Sequence, residues 1–463
     1  MLLEGRKLHM LARCEETSAV HGSGEPVETK LQRIAEKARK EPGFKFTSLF
    51  HLMNEELLRG CFKRLRKDAA AGIDEMTKAM YAENLDANLS DLIDRLHRMA
   101  YIPQPVRRVY IPKPGSAKQR PLGIPCLEDK LVEAGLVRIL ESVYEQDFIE
   151  DSYGCRPLRS CHNALKALSE TVEHKPINHI VEADIKGFFD KVKQEWLMKF
   201  LAHRIGDKRV LRMVRRFLKA GVVEDGNVTV SDEGTPQGGV ISPLLANIYL
   251  HYTLDLWFEK VYRKSCTGIS RLIRYVDDFV VCFQHKHEAE RFREELSKRL
   301  GKFGLEVEPT KTKVIEFGRF AVERTKRRGE KPETFDFLGF THYCGTKRDG
   351  KGFRMKRVTA RKKFSAKLKI FKEWLKKART LKTKELWEAA KAKLIGHYNY
   401  YGVTDNLRGI KRYGKEVKKL LFKWLNRRGK CGCLNWQKFW EMLKRFPLPE
   451  PRIKVRMFGI SAN

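Results

Sequence analysis

Two adjacent carboxylates, Asp277 and Asp278, lie in Arg274-Tyr275-Val276-Asp277-Asp278-Phe279-Val280-Val281, a run that otherwise reads as a buried β-hairpin. Ile273, Val276, Phe279, Val280, Val281 and Phe283 are β-branched or aromatic, the types that suit a sheet. An acidic pair between two apolar strands is costly unless the charges meet cations, and divalent metals bridging a phosphate supply them. Asp is also a common turn residue, so the pair alone fits a plain hairpin turn equally well. A second acidic strand changes that balance. Ile180-Val181-Glu182-Ala183-Asp184-Ile185 reads as a strand ending at Asp184, with Gly187 breaking it before Phe188 and Phe189. Asp184, Asp277 and Asp278 together form an all-oxygen set suited to Mg²⁺, with room for phosphate oxygens and water. Phosphoryl transfer on two Mg²⁺ ions is the chemistry such a set performs, and polymerase, nuclease and phosphatase all remain open on these residues.

The carboxylates need elements to hold them. Pro112-Lys113-Pro114-Gly115-Ser116 punctuates a hairpin between Val109-Tyr110-Ile111 and Pro121-Leu122-Gly123-Ile124. Leu131 to Tyr144 has helical apolar periodicity, as do Leu31, Ile34 and Ala35 and then Leu57 to Leu65. Another helix is expected from Pro243 to Leu256. After Gly345 the composition shifts. Residues 347–430 hold 29 Lys and Arg against 6 Asp and Glu, a surplus of 23 within a chain whose net charge is +35. Phe364, Leu368, Phe371, Trp374, Leu375, Leu386, Ala389 and Leu394 keep helical spacing there, which predicts three helices with one buried and one cationic face. His397-Tyr398-Asn399-Tyr400-Tyr401-Gly402 either stacks bases or packs the helix junction, and its apolar neighbours favour packing.

At 463 residues the chain is long enough for two or three domains. Its charge implies a polyanionic partner, and no apolar run of transmembrane length points to a membrane. Residues 1–20 are interrupted by charges and do not read as a signal peptide. The 10 Cys are scattered without a CxxC pair, which argues against a zinc ribbon or a disulfide framework and for a reducing cytosol.

The order of short blocks resembles the group II intron reverse transcriptase/maturase family, of the bacterial, endonuclease-lacking kind, from about residue 30 to residue 455. The blocks are Ala70-Ala71-Gly72-Ile73-Asp74, Ile111-Pro112-Lys113 with Arg120-Pro121-Leu122-Gly123-Ile124-Pro125, and Ser152-Tyr153-Gly154-Cys155-Arg156-Pro157. The acidic strand continues to Phe188-Phe189-Asp190. Then come Thr235-Pro236-Gln237-Gly238-Gly239-Val240-Ile241-Ser242-Pro243-Leu244, Tyr275-Val276-Asp277-Asp278, Lys311-Thr312-Lys313 and Phe337-Leu338-Gly339-Phe340.

The resemblance implies an α+β right-hand polymerase. Residues 1–44 would form an N-terminal extension, 45–176 the fingers, 177–345 the palm, 346–430 a helical thumb or maturase domain, and 431–463 a short final segment with no endonuclease. Asp184, Asp277 and Asp278 would be the catalytic metal ligands, with the carbonyl of Ile185 a further ligand to one of two Mg²⁺ ions. Lys113 and Arg120 would clamp the triphosphate, Arg offering a bidentate fork. Phe189, five residues after Asp184, would lie under the sugar and exclude a ribose 2′-hydroxyl, with Phe188 facing away if the backbone is extended. Gln237 would touch the incoming nucleotide, and Gly238 and Gly239 would let backbone approach the base pair. Lys311 and Phe337, Leu338 and Gly339 would lie near the primer end. Lys362, Lys363, Lys376 and Lys377 would line the nucleic-acid surface of the thumb.

The implied partners are intron RNA and an RNA template, a DNA primer or target, and deoxynucleoside triphosphates, with a homodimer left open and no membrane. The implied location is the bacterial cytoplasm, at the nucleoid through nucleic acid. Val276 departs from the Ala that the family most often places before the acidic pair. The expected activity is RNA-directed DNA synthesis with maturase function. The alternatives are an intron-free relative working in DNA repair or phage defence, and an RNA-binding maturase without polymerase activity, which the intact carboxylate set disfavours.

Overall fold

The computed structural model describes residues 25–112, 119–230, 232–235, 238–347, 349–427 and 434–458. Its centre is an antiparallel sheet in the order β6 (Ser270–Tyr275), β7 (Asp278–Phe283), β3 (His179–Asp184), β8 (Lys313–Glu316). Alternation along these strands divides the side chains between two cores. Val181, Ala183, Leu272, Phe279 and Val281 enter one core with the helices Leu127–Tyr144, Gln194–Arg204, Lys208–Lys219 and Ser242–Leu250. Ile180, Ile273, Val280, Cys282 and Ile315 enter the other. Asp184 and Asp278 continue the second series at the sheet's end.

The first core is built around two thoroughly buried helices. All nine residues of Ser242–Leu250 are buried, and Pro243 fits its first turn, where a missing N–H costs nothing. Its helical course continues beyond the expected Leu256 through π-helical stretches, His251–Asp255 and Phe258–Tyr262. Such stretches shift the helix's facing relative to an unbroken α-helix. The Leu127–Tyr144 helix contributes Glu133, 3% exposed, whose carboxylate accepts the backbone N–H of Val240 and of Ile241 (3.3 Å). Those donors lie just before the Ser242 helix, so one side chain satisfies orphan N–H groups.

The fingers hairpin of β1 (Val106–Pro112) and β2 (Gln119–Ile124) extends through β4 (Val222–Glu224), parallel to β1, to β5 (Asn227–Thr229). A third sheet runs β9 (Phe335–Phe337), β10 (Phe340–Thr346), β11 (Phe353–Thr359). β10 pairs with β11 along its whole length, so the expected palm–thumb boundary at 345/346 cuts through a continuous hairpin. The helices begin only at Arg361–Ala378, followed by Thr383–Tyr401 and Leu407–Leu425. The helix Cys161–His174, expected in the fingers, packs in the second core with the thumb helices and β11. Among the described residues no helix is long and apolar enough to cross a membrane.

Glu133 yields a pH prediction. Burial pushes its carboxyl up to about 8, against the pull of its two backbone bonds and of the Lys130 ammonium. The folded state therefore holds this proton to higher pH than the unfolded chain. The stability it contributes is complete below about pH 4.5 and is lost as pH rises through about 8. Glu133→Gln keeps an acceptor oxygen without that titration. Urea unfolding should show the variant gaining on the wild type between about pH 5.5 and 8.5, by roughly 1.4 kcal/mol per unit at most. An equal difference at both pH values would mean that Glu133 does not titrate there.

Candidate active site

The β6–β7 hairpin closes on the pair Tyr275–Asp278, leaving Val276 and Asp277 at its tip. Val276 has φ +58° and Asp277 does not share that sign, as in a type II′ turn whose first central position is usually Gly. A β-branched residue there is strained by about 1–3 kcal/mol and persists only when its surroundings over-determine it.

Arg274 is the main support. Its guanidinium, fully buried, donates to the Val276 carbonyl (3.0 Å), Asn247 Oδ1 (2.9 Å), Ser152 Oγ (2.8 Å) and, through Nε, Asp255 Oδ1 (2.8 Å). A further bond to Asp255 Oδ2 makes that pair bidentate, and Asp255 is equally buried. Asn247 also donates to the Gly154 carbonyl (2.7 Å). Arg274 N–H donates to the Asp151 carbonyl (2.9 Å), and its own carbonyl accepts Tyr153 N–H (2.8 Å). Gly154 lies so close to Val276 that any β-carbon would fall inside contact distance of its backbone. Arg274, Ser152 and Gly154 fall inside sequence motifs that assign them no role, and Asn247 and Asp255 fall in an expected helix. Their signals were charges isolated in apolar surroundings: Arg274 within a strand, and Asp255 between Leu254 and Leu256.

Asp184 and Asp278 face each other directly across β3 and β7. Asp278 is exposed, yet the protein crowded around its carboxyl displaces water and, with Asp277 next to it, pushes it up to about 7. The Leu338 backbone N–H opposes that shift. Burial raises Asp277 as well, while the Arg120 charge pulls it down and Asp184 pushes it up. The Asp184 carboxylate is turned onto the Lys311 ammonium, and this bond raises the lysine. Glu182, two residues before Asp184, is half-buried and pushed up to about 7 by burial and by the Asp336 charge. As they stand, no three described His, Cys, Asp or Glu side chains form a cluster that could hold a metal ion.

The other expected site residues divide clearly. Arg120 lies on β2 with its charge felt at Asp277, and Lys311 lies at Asp184. Phe189 is partly exposed and its carbonyl accepts Thr235 N–H (2.8 Å), whereas Phe188 is 2% exposed and packs edge-on to Tyr249. The two rings sit edge to face (5.3 Å between centroids) on a helical turn, Phe188–Lys191, that starts at Gly187 with φ +58°, so the backbone there is not extended. Gly238 (φ +118°) presses against the Gly123 carbonyl, and Gly239 lies against Glu133, so their close approach in this structure is to the chain itself. Phe337 and Leu338 are buried, which leaves backbone and Gly339 as what that turn can present to a primer. On the helix Arg361–Ala378, Lys362 and Lys377 are exposed and Lys363 is half-buried, but Lys376 is occupied by Glu373 (3.0 Å). Lys113 and Gln237 lie outside the described residues.

Comparison with known proteins fits this arrangement. The family described as "Reverse transcriptase (RNA-dependent DNA polymerase)" matches residues 111–342, from the end of β1 into β10. The group II intron-encoded protein LtrA of Lactococcus lactis subsp. cremoris is 39% identical over 230 residues, 49% of this chain and 38% of LtrA. Protein YkfC of Escherichia coli (strain K12) is 33% identical over 345 residues, 65% of this chain and 90% of YkfC. The chain belongs to the group II intron reverse transcriptase family. An uncharacterized 91 kDa protein in the cob intron of Schizosaccharomyces pombe is 32% identical over 247 residues, 52% of this chain and 30% of that protein. The chain thus spans less than half the length of LtrA and of the yeast relative, and nearly all of YkfC. Within this family member, the matched stretch contains every element that supports the acidic turn, including the Asp255 helix and the Gly154 loop.

Removing one partner of the buried ion pair should be severe. Asp255→Ala leaves the Arg274 guanidinium buried and uncompensated, a loss of roughly 3–5 kcal/mol. Denaturant unfolding checks the magnitude, and a loss under about 1 kcal/mol would show that the other acceptors of Arg274 suffice.

Proposed function

We propose that this chain is an RNA-directed DNA polymerase, extending a DNA primer along an RNA template by nucleotidyl transfer. The observation that carries this reading is the pairing of Asp184 with Asp278 across β3 and β7, beside Asp277 on a strained, over-supported turn and within reach of the Arg120 charge. The donor chemistry fits Mg²⁺: hard carboxylate oxygens in excess, with the Asp277 and Asp278 carboxyls raised by burial and by neighbouring acids. Asp184, Asp277 and Asp278 would hold two ions, with the Ile185 carbonyl as a further ligand. When bound, such ions lower the barrier by activating the primer 3′-hydroxyl and stabilising charge on the departing pyrophosphate.

The protein's own groups supply the rest. Arg120 on the fingers hairpin engages the triphosphate, with Lys113 and Gln237 completing the nucleotide site. Phe189 lies under the sugar and excludes a 2′-hydroxyl. Lys311 balances Asp184 and must yield that carboxylate when an ion binds. The cationic faces of the thumb helices, Lys362, Lys363 and Lys377 among them, bind phosphate backbone, and the relation to an intron-encoded protein supports intron RNA as template and maturase partner.

Asp184→Asn or Asp277→Asn should abolish primer extension in Mg²⁺ while RNA affinity changes less than about twofold, because the basic surface is untouched. Extension surviving either substitution would refute the site. Separately, Phe189→Ala should raise ribonucleotide use relative to deoxynucleotide use, by roughly tenfold or more in relative kcat/KM. An unchanged ratio would assign sugar selection to another residue.

A further inference from the structure

The aromatic run 397–401 is spent on packing. Tyr398 and Tyr401 are 3% and 1% exposed, and His397 stacks on Tyr413 (3.5 Å between centroids) within the second core. The last helix of the described chain, Trp436–Arg445, divides its aromatic residues differently. Phe439 and Leu443, one turn apart, enter the second core, whereas Trp436 and Trp440, also one turn apart, stay 45% and 51% exposed. Two neighbouring indoles half in water forgo burial that the adjacent core offers.

Their placement is fixed by the neighbouring helix Leu407–Leu425. Asn426, at its end, clasps Leu434 through both backbone groups, donating to its carbonyl (2.9 Å) and accepting its N–H (3.0 Å). Asn435 caps the last helix by accepting Lys438 N–H (2.8 Å), and Trp387 Nε1 donates to the Phe446 carbonyl (2.6 Å) at the other end. The Trp436 ring lies flat on Phe422 (3.9 Å between centroids, 12° between planes), and the Lys418 ammonium stands over the Trp440 ring (5.6 Å). Each indole is held from behind and open in front.

The surroundings are cationic. The helix Leu407–Leu425 carries seven Lys or Arg against one acid, Glu416, which Lys419 takes (2.9 Å). The last helix adds Lys438, Lys444 and Arg445 against Glu441. Lys411, Lys415, Lys418 and Phe422 follow helical spacing, so one stripe leads from two exposed lysines to the tryptophans. Flat rings held rigid among lysines suit unpaired nucleobases, which stack on the rings while their phosphates meet the cations. A duplex hides the faces of its bases and can use only the lysines.

We propose that Trp436 and Trp440 form a stacking platform for unpaired nucleotides of a single-stranded nucleic acid, whose phosphates meet the stripe of Lys411, Lys415 and Lys418. This goes beyond the backbone contacts assigned to the basic helices. It is independent of the polymerase reading, since binding alone reports it.

The test is ultraviolet crosslinking of the full chain to single strands of about 20 nucleotides carrying 5-bromouracil, longer than a typical single-strand site. One strand is RNA and one DNA, and both are also titrated beside a duplex of equal length at several salt concentrations. Crosslinks should map to Trp436 or Trp440, and the two strands show which sugar is preferred. Trp440→Leu should weaken single-strand binding by about fivefold or more, the least that one lost base–aromatic stack gives. Its salt slope and duplex affinity should not change, because no phosphate contact is removed. Trp440→Phe keeps a flat ring and should lose less. Lys411→Ala with Lys415→Ala should instead flatten the salt slope for strand and duplex alike. Crosslinks found only elsewhere overturn the platform, as do equal losses for strand and duplex in Trp440→Leu or equal losses in Trp440→Leu and Trp440→Phe. If Trp440→Leu melts early, the crosslink map and Trp440→Phe still decide. Self-association of the chain through this face, without crosslinks to it, overturns the proposal as well.

Discussion

A guanidinium with no surface exposure has to find its charge partner inside the protein, and Arg274 finds it in Asp255. Most of the acidic site follows from that requirement. Desolvating both ions costs several kcal/mol each, so the pair is favourable only where nearly every N–H also meets an acceptor. Those acceptors are Asn247, Ser152 and the carbonyl of Val276, which come from a helix, a loop and the turn itself. Meeting them fixes the register of β6 against the loop 151–154 and the facing of the long helix 242–262. The hairpin tip, including a valine in a left-handed conformation, has no other way to lie. Buried ion pairs are poor stabilisers on balance but good at excluding alternatives, and exclusion of alternatives is what an acidic turn needs.

The acidic turn also runs against the charge of the whole chain. The protein carries a net +35, yet Glu182, Asp184, Asp277 and Asp278 crowd one end of one sheet. Their mutual repulsion and poor solvation show as raised carboxyls at three of the four. Positive charge arrives from two directions, Lys311 from the short turn before β8 and Arg120 from β2. The basic surplus is elsewhere, on helices whose apolar faces line the second core. The molecule thus separates a long-range attraction for polyanions from a local deficit of cations.

What was legible in the sequence was whatever depends on near neighbours. The strands around Asp184 and Asp277, the fingers hairpin and the three basic helices all follow from alternation or helical spacing, and each is present. The paired carboxylates were legible because acids are rare in such apolar runs. Partners far apart along the chain were not. Glu133 meets Val240 across 107 residues, and Arg274 meets Asp255 across a π-helical stretch that no periodicity announces. Gly238 looked like a glycine kept for a ligand, and in the structure it is required by Gly123 of the neighbouring strand. The boundary near residue 345 followed a change in charge, whereas backbone pairing continues through β11.

The two cores on opposite faces of one sheet have a consequence for biosynthesis. One face of β3, β6 and β7 is covered by helices that precede residue 265 or lie close after it in the chain. The other face, with Ile180, Ile273, Val280 and Cys282, is covered in part by the earlier helix Cys161–His174 and completed by residues 335–457, the last part of the described chain to leave the ribosome. At bacterial or eukaryotic elongation rates of about 5–20 residues per second, that interval lasts several seconds or longer. During it a hairpin with a finished inner face presents a partly covered apolar outer one. Such a nascent chain is a natural client for a chaperone until the last helices close over that face.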